Sequence, residues 1–227
     1  YTVERRTVSN TSAETIHTLD ISPNNEINAV GISPKDKKAY GIVPSGSNPN
    51  PLLVRFDDDE VRYVAEVEQK ATQGTFDVHG DYIYGDDSGV WRVRRPDPLT
   101  GYTSSSASGI SDQSSATSLV SASTGKVADW AAIRADLGSG VANYLVGLAH
   151  QTEKVIVVKY QTHGGASDTA TGSTIATLSP STAFANSNPW RNAWYWQGRL
   201  IFMHKNGDVY EVGTNLASDL SGTADVT

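Results

Sequence analysis

Residues 193–212 decide the fold: Ala193-Trp194-Tyr195-Trp196, Gln197-Gly198-Arg199, Leu200-Ile201-Phe202-Met203, His204-Lys205-Asn206-Gly207-Asp208, Val209-Tyr210-Glu211-Val212. They read as strand, turn, strand, turn, strand. The strand positions are aromatic or β-branched, types that fit a pleated, half-buried surface. Asn206-Gly207 supplies the positive φ that a tight hairpin turn needs.

The same phrase recurs upstream. One copy runs through Thr75–Val78, a His79-Gly80-Asp81 turn, Tyr82–Gly85, an Asp86-Asp87-Ser88-Gly89 turn and Val90–Val93. Another runs through Ile27–Gly31, a Pro34-Lys35-Asp36 turn, Ala39–Ile42 and Leu52–Phe56. A looser one joins Trp130–Ile133, Tyr144–Leu148 and Val155–Tyr160. Taking Tyr40, Tyr84, Val146 and Phe202 as equivalents, the steps are 44, 62 and 56 residues. The longest step contains a Ser/Thr-rich insertion, residues 103–126, in which 13 of 24 residues are Ser or Thr. A period of about 40–50 residues with several strands per unit is the signature of a β-propeller.

Outer, fourth strands are expected at Val61–Val67 and Thr174–Leu178. Tyr1–Val8 and Ile16–Ile21 read as the third and fourth strands of one more unit. The tail offers one weak strand, Thr223–Val226. Ala131–Leu137 has room for a single helical turn before Gly138-Ser139-Gly140. The expected architecture is all-β: a single propeller domain over residues 1–227, of about five four-stranded antiparallel meanders, with an incomplete closing blade. A two-sheet sandwich would also use short strands, but it would not repeat this phrase.

The phrase Ile27-Asn28-Ala29-Val30-Gly31, Ala39-Tyr40-Gly41-Ile42, Leu53-Val54-Arg55-Phe56-Asp57 resembles the "INALG…YGI…LYRID" phrase of secreted and cell-surface β-propeller repeats. The resemblance is carried mainly by residues 27–57 and 75–93. It implies a non-catalytic extracellular propeller. It transfers no functional residue, because the phrase describes the core of a blade.

Composition narrows the function classes. Lys and Arg number 18 against 25 Asp and Glu, a net charge of −7, which argues against a general nucleic-acid binder. No apolar run approaches the ~18 residues of a membrane span. There is no cysteine, hence no disulfide framework, thiol nucleophile or Cys-rich zinc site. The chain opens on Tyr1, as a processed chain or an excised domain would. Absent cysteine, few lysines and abundant Ser and Thr point to an extracellular or cell-surface location. Asn10-Thr11-Ser12 is the one N-glycosylation match, with Asn10 as the acceptor.

Candidate chemistry is sparse. Glycoside hydrolysis needs two carboxylates flanking one bond. Asp20, Asp77, Asp81, Asp129 and Asp136 lie in different repeats, and no spacing selects a pair. They read as turn residues or solvated strand faces. Asp57-Asp58-Asp59-Glu60 and Asp86-Asp87-Ser88-Gly89 offer oxygens to Ca2+, but neither matches a D-x-D-x-D-G loop. Both read first as acidic turns. No cofactor is expected. His79 and His204 flank turns and read as exposed.

Trp190, Trp194, Tyr195 and Trp196 fall within seven residues. Tryptophans on such a strand fill the space between blades. Trp190, read as lying in the loop Asn188-Pro189-Trp190-Arg191-Asn192, would be exposed and able to stack on a sugar ring. Trp190, Arg191, Asn192 and Trp194 are therefore the candidate ligand-binding residues. The resulting expectation is an adhesion module that binds a glycan or matrix partner. The alternative is a structural subunit of an extracellular filament, self-associating by strand complementation at an open blade edge. A glycosidase-like enzyme is the third reading.

Overall fold

In the computed structural model, alternation of apolar and polar residues resolves into strands throughout. The structure describes residues 2–5, 14–18, 27–43, 50–57, 60–68, 71–86, 89–97, 120–121, 127–137, 140–149, 154–160, 172–180, 190–196, 199–204, 208–212 and 223–224. All regular elements among them are β. An N-terminal pair, β1 (Thr2–Arg5) and β2 (Glu14–Thr18), forms a two-stranded antiparallel sheet. The first four-stranded sheet is β3 (Asn28–Ile32), β4 (Ala39–Val43), β5 (Leu52–Phe56) and β6 (Val61–Glu66), each strand beside the next. The second repeats that order with β7 (Gln73–Phe76), β8 (Tyr82–Asp86), β9 (Gly89–Val93) and β10 (Val120–Ser121).

The third sheet holds β11 (Val127–Asp136), β12 (Val141–Ala149), β13 (Val155–Tyr160) and β14 (Gly172–Pro180). The fourth has β15 (Trp190–Trp196), β16 (Arg199–His204) and β17 (Val209–Val212). A last strand, β18 (Thr223–Ala224), lies parallel to the end of β14. The repeated meander read from the sequence is thus present as four successive antiparallel sheets. The described residues form no closed propeller or barrel.

Three local expectations are corrected. Ala131–Asp136 is strand, because residues 130–136 of β11 pair one for one with residues 141–147 of β12. Trp190 opens β15 instead of lying in a loop, because β16 extends to His204 and His204 pairs with it. The C-terminal strand adds to the outer edge of the third sheet and completes no other.

The sheets are joined by apolar layers. Tyr40, Ile42 and Leu53 of the first sheet meet Phe76, Tyr82, Tyr84 and Trp91 of the second. Ring centroids step from Tyr40 to Phe76 (5.0 Å), Phe76 to Tyr82 (5.2 Å), Tyr82 to Tyr84 (5.9 Å) and Tyr84 to Trp91 (6.0 Å). Ile83 and Val90, from the other face of the second sheet, pack on Trp130, Leu145, Ile156 and Val158 of the third. Tyr144, Val146 and Val157 then pack on Ala193, Leu200 and Phe202 of the fourth. Each fully buried Leu, Ile, Val or Phe contributes about 1.5–3 kcal/mol. Period-2 alternation sends neighbouring residues to opposite layers.

The first strands carry irregularities. Pairing shifts between Asn28 and Gly31 in β3, and between Val127 and Trp130 in β11. Each bulge faces a glycine of the second strand. A Cβ on Gly147 would lie 2.9 Å from the Asp129 carbonyl oxygen, and one on Gly41 would lie 3.2 Å from that of Asn28. Ala29, inside the first bulge, sits at φ 57°.

Candidate functional site

The first strands of successive sheets lie side by side: β3 on β7, β7 on β11 and β11 on β15. Their contacts meet at one level. Gly74 of β7 lies against the Ala29 backbone of β3, so closely that a Cβ would overlap the Ala29 carbonyl. The Tyr82 hydroxyl donates to that carbonyl, and the Gln73 side-chain amide donates to the Val127 carbonyl of β11.

Asp129 of β11 completes the series. One carboxylate oxygen accepts from Gly74 N (3.2 Å) and Trp130 N (2.9 Å); the other accepts from Ala193 N of β15 (3.0 Å). One buried side chain therefore ties three first strands together. Desolvation by burial pushes its pKa up to about 7, against the opposing pull of the three N–H donors. Asp129 was an expected turn or solvated residue; the structure buries it. The available signal was a lone carboxylate inside the apolar run Val127-Ala128-Asp129-Trp130-Ala131-Ala132-Ile133.

The other candidate carboxylates are bound within turns. Asp77 Oδ1 accepts from His79 N and Asp81 N, each at 2.9 Å, and closes the β7–β8 turn. Its Oδ2 accepts from the Tyr160 hydroxyl of the third sheet at 3.3 Å. Burial raises the pKa of both Asp77 and Tyr160. Asp81 Oδ1 accepts from Arg95 N (3.1 Å), and its Oδ2 lies 3.7 Å from the buried Arg92 guanidinium. Asp136 accepts from Gly140 N at 3.0 Å, across the β11–β12 turn. Asp20 is outside the described residues. Asp77, Asp81, Asp129 and Asp136 close turns and join sheets.

Asp57 and Glu60 form a turn in which Glu60 N donates to Asp57 Oδ1 at 2.9 Å. Cations take up the charge: Lys38 pairs with Asp57, Arg55 with Glu60 (3.2 Å) and Arg62 with Glu60 (2.7 Å). The Arg62 hydrogen bond holds Glu60 below the ordinary carboxylate range. Asp58, Asp59, Asp87 and Ser88 are outside the described residues. No group of three or more His, Cys, Asp or Glu among the described residues is arranged to hold a metal ion. Both histidines were expected to be exposed; His79 is half-buried and His204 is buried. His204 N donates to Asp208 O at 2.9 Å and closes the β16–β17 turn, which draws the residue into the sheet.

What is open lies at the two ends of the series of first strands. On β7 and β11, residues 73–76 and 127–133 are buried apart from Thr75. On β3, Val30 is 50% and Ile32 69% exposed, with Asn28 exposed beside them. On β15, Trp194 is 37% and Tyr195 42% exposed, and Asn192 is exposed too. Asn192 opposes Met203 and Val209, while Trp194 opposes Ile201 and Glu211. This face of the fourth sheet is left open, and Val209 on it is 57% exposed. Its opposite face, with Ala193, Leu200 and Phe202, is core. Arg199 pairs with Glu211 at 3.3 Å on the surface.

Of the ligand-binding candidates, Asn192 and Trp194 thus share one exposed face. The side chains of Trp190 and Arg191, and Asn10 as a whole, lie outside the described residues. Val30, Ile32 and Val209 were missed. No local signal marked them, since apolar residues on a strand read as core.

No family model matches the chain, no curated protein matches it, and no solved structure matches its fold.

Proposed function

We propose that the chain is a non-catalytic structural module of an extracellular assembly, built as a five-bladed propeller with an incomplete blade and joined to its neighbour through the open side. The carrying observation is the contrast among first strands: β7 apart from Thr75, and residues 127–133 of β11, are buried, whereas β3 and β15 expose Val30, Ile32, Trp194 and Tyr195. Side-by-side first strands and layered sheet faces support the propeller. The absence of cysteine and the Ser/Thr-rich insertion 103–126 support the extracellular setting. Aliphatic residues on strands at an open end match a polypeptide partner better than a sugar.

A second reading, glycan recognition, is favoured by the exposed pair Asn192 and Trp194, an amide beside an aromatic ring.

Light scattering over a range of protein concentrations tests both. The assembly reading expects association that grows with concentration and is suppressed by Ile32→Lys, which places a charge on the open side without touching the core. A strict monomer at high concentration, together with glycan-array binding lost in Trp194→Ala, establishes the second reading instead.

A further inference from the structure

We infer that the turns joining first to second strands carry a binding surface for an acidic polysaccharide, centred on Lys35, Arg95 and Arg134 around the His79-Gly80 turn.

The first strands run in one direction. Ala29 and Gly31 of β3 lie beside Gly74 and Thr75 of β7, and Val127 and Asp129 of β11 lie beside Gln73 and Gly74. The turns that follow β3, β7 and β11 therefore stand in a row. Exposed cations from three sheets meet at the middle one. The Lys35 stem, from the first sheet, lies over Gly80. A Cβ there would come 2.6 Å from Lys35 Cγ and 3.3 Å from Arg95 Cδ. Arg95 is held in the left-handed region, at φ 39°, with its N–H on the buried Asp81 carboxylate at 3.1 Å. Backbone strain of this kind collects at functional sites. Arg134 Nη1, from the third sheet, lies 3.4 Å from His79 Nε2. A guanidinium only donates, so the imidazole orients Arg134 without neutralising it.

The nearby carboxylates are engaged elsewhere. Asp36 accepts from the Tyr40 hydroxyl (2.7 Å), and Asp136 accepts from Gly140 N (3.0 Å). Asp77 closes its own turn, and Asp97 accepts twice from Arg95 (2.8 and 3.0 Å). Among the described residues, the Lys35 and Arg134 side chains meet no carboxylate within ion-pair distance; Asp97 acts on Lys35 only through space. On a chain of net charge −7, this is a local excess of positive charge. Cations spread over adjacent turns suit a ligand whose anionic groups repeat along a chain. No Phe, Tyr or Trp stands among the described turn residues to stack a nucleic-acid base. Turns also offer no strand edge for a peptide to extend. Sulfate or carboxylate groups on a sugar chain need only exposed, charged donors.

The test measures binding of the full chain to immobilised heparin (sulfated), polygalacturonate (carboxylated), dextran (uncharged) and single-stranded DNA. Binding to one or both acidic polysaccharides is expected, with none to dextran, and it is expected to vanish by about 1 M salt, where charges are screened beyond about 3 Å. A preference for heparin or for polygalacturonate supports the inference and names the anion. Lys35→Gln and Arg134→Gln are each expected to weaken binding about 3–5-fold, the upper range for one exposed ion pair, and together about tenfold or more. Both sites are exposed, so thermal unfolding is expected to show an unchanged Tm. Arg199→Gln, the same loss of charge on the fourth sheet, and Trp194→Ala are expected to leave binding unchanged. No binding to either acidic polysaccharide overturns the inference, as does an equal loss in Arg199→Gln. Binding that survives the Lys35/Arg134 double variant but not Trp194→Ala overturns this site in favour of the fourth sheet. DNA held as tightly as the polysaccharides shows an unselective polyanion surface and overturns the ligand assignment.

Discussion

Gly74→Ala is expected to lower the stability of the folded chain by about 3 kcal/mol or more, toward or past the upper end of overpacking effects. The added Cβ has nowhere to go. It would overlap the Ala29 carbonyl and lie 2.8 Å from the Ala29 Cα. These are backbone atoms of a strand held by its own ladder to β4, so no rotamer change relieves the contact. Gly74 N also donates to Asp129 at 3.2 Å, so moving β7 away from β3 disturbs its junction with β11 as well. Gly140→Ala is the control. That glycine sits at φ +87° with nothing within 4 Å of an added Cβ. Its cost is backbone strain alone, about 1–2 kcal/mol. Urea unfolding of both variants checks the ordering. Equal midpoints for the two would show that the first strands are not packed backbone to backbone at Gly74.

The meanders were legible because each carries its own punctuation. Gly-containing turns bracket aromatic and β-branched strands, and Ala39–Ile42, Tyr82–Gly85 and Leu200–Met203 emerge as second strands of their sheets. Local pattern reports local pairing well, since both partners of a hairpin lie in one window of sequence. Contacts between sheets are another matter. Nothing near Gly74 announces that Ala29, 45 positions upstream, touches it. His204 and Trp190 show the same limit: each was read from the turn beside it, but register across β15 and β16 placed both in the sheet. For the candidate site, Trp194 and Asn192 were legible as candidate residues, but Asn192 was read as loop, and only the register of β15 against β16 puts the two on one strand face. Val30 and Ile32 were not legible, because an apolar strand residue reads as core whenever a neighbouring sheet is assumed to cover it. The meaning of those two residues depends on which first strand has no neighbour, and that is a property of the whole arrangement.

Asp129 is expected to make the stability of the chain pH-dependent in a direction opposite to an ordinary surface carboxylate. Its pKa is about 7 in the folded protein, above the 3.8 of an unperturbed aspartate. Between those values the folded state holds a proton that the unfolded state has released. Stability contributed by this group is therefore complete below about pH 4 and lost as pH rises toward 7. The slope is at most about 1.4 kcal/mol per pH unit. Asp129→Asn removes the titration, so the difference between the two proteins isolates it. The variant is expected to be the less stable at pH 5 and to recover most of that deficit by pH 8. Parallel profiles, or a deficit that grows with pH, would show that the three N–H donors outweigh desolvation and hold the group ionised. Asp129→Ala leaves the Gly74, Trp130 and Ala193 N–H groups without their acceptor. At about 1–3 kcal/mol for each buried unsatisfied group, it is expected to cost at least 3 kcal/mol at any pH. The same side chain holds, from the buried side, the backbone of the strand that presents the open face, since Ala193 lies between Asn192 and Trp194 on β15. Loss of its bond to Ala193 frees the strand that presents them, so Asp129→Ala is expected to weaken association even under conditions where the chain remains folded.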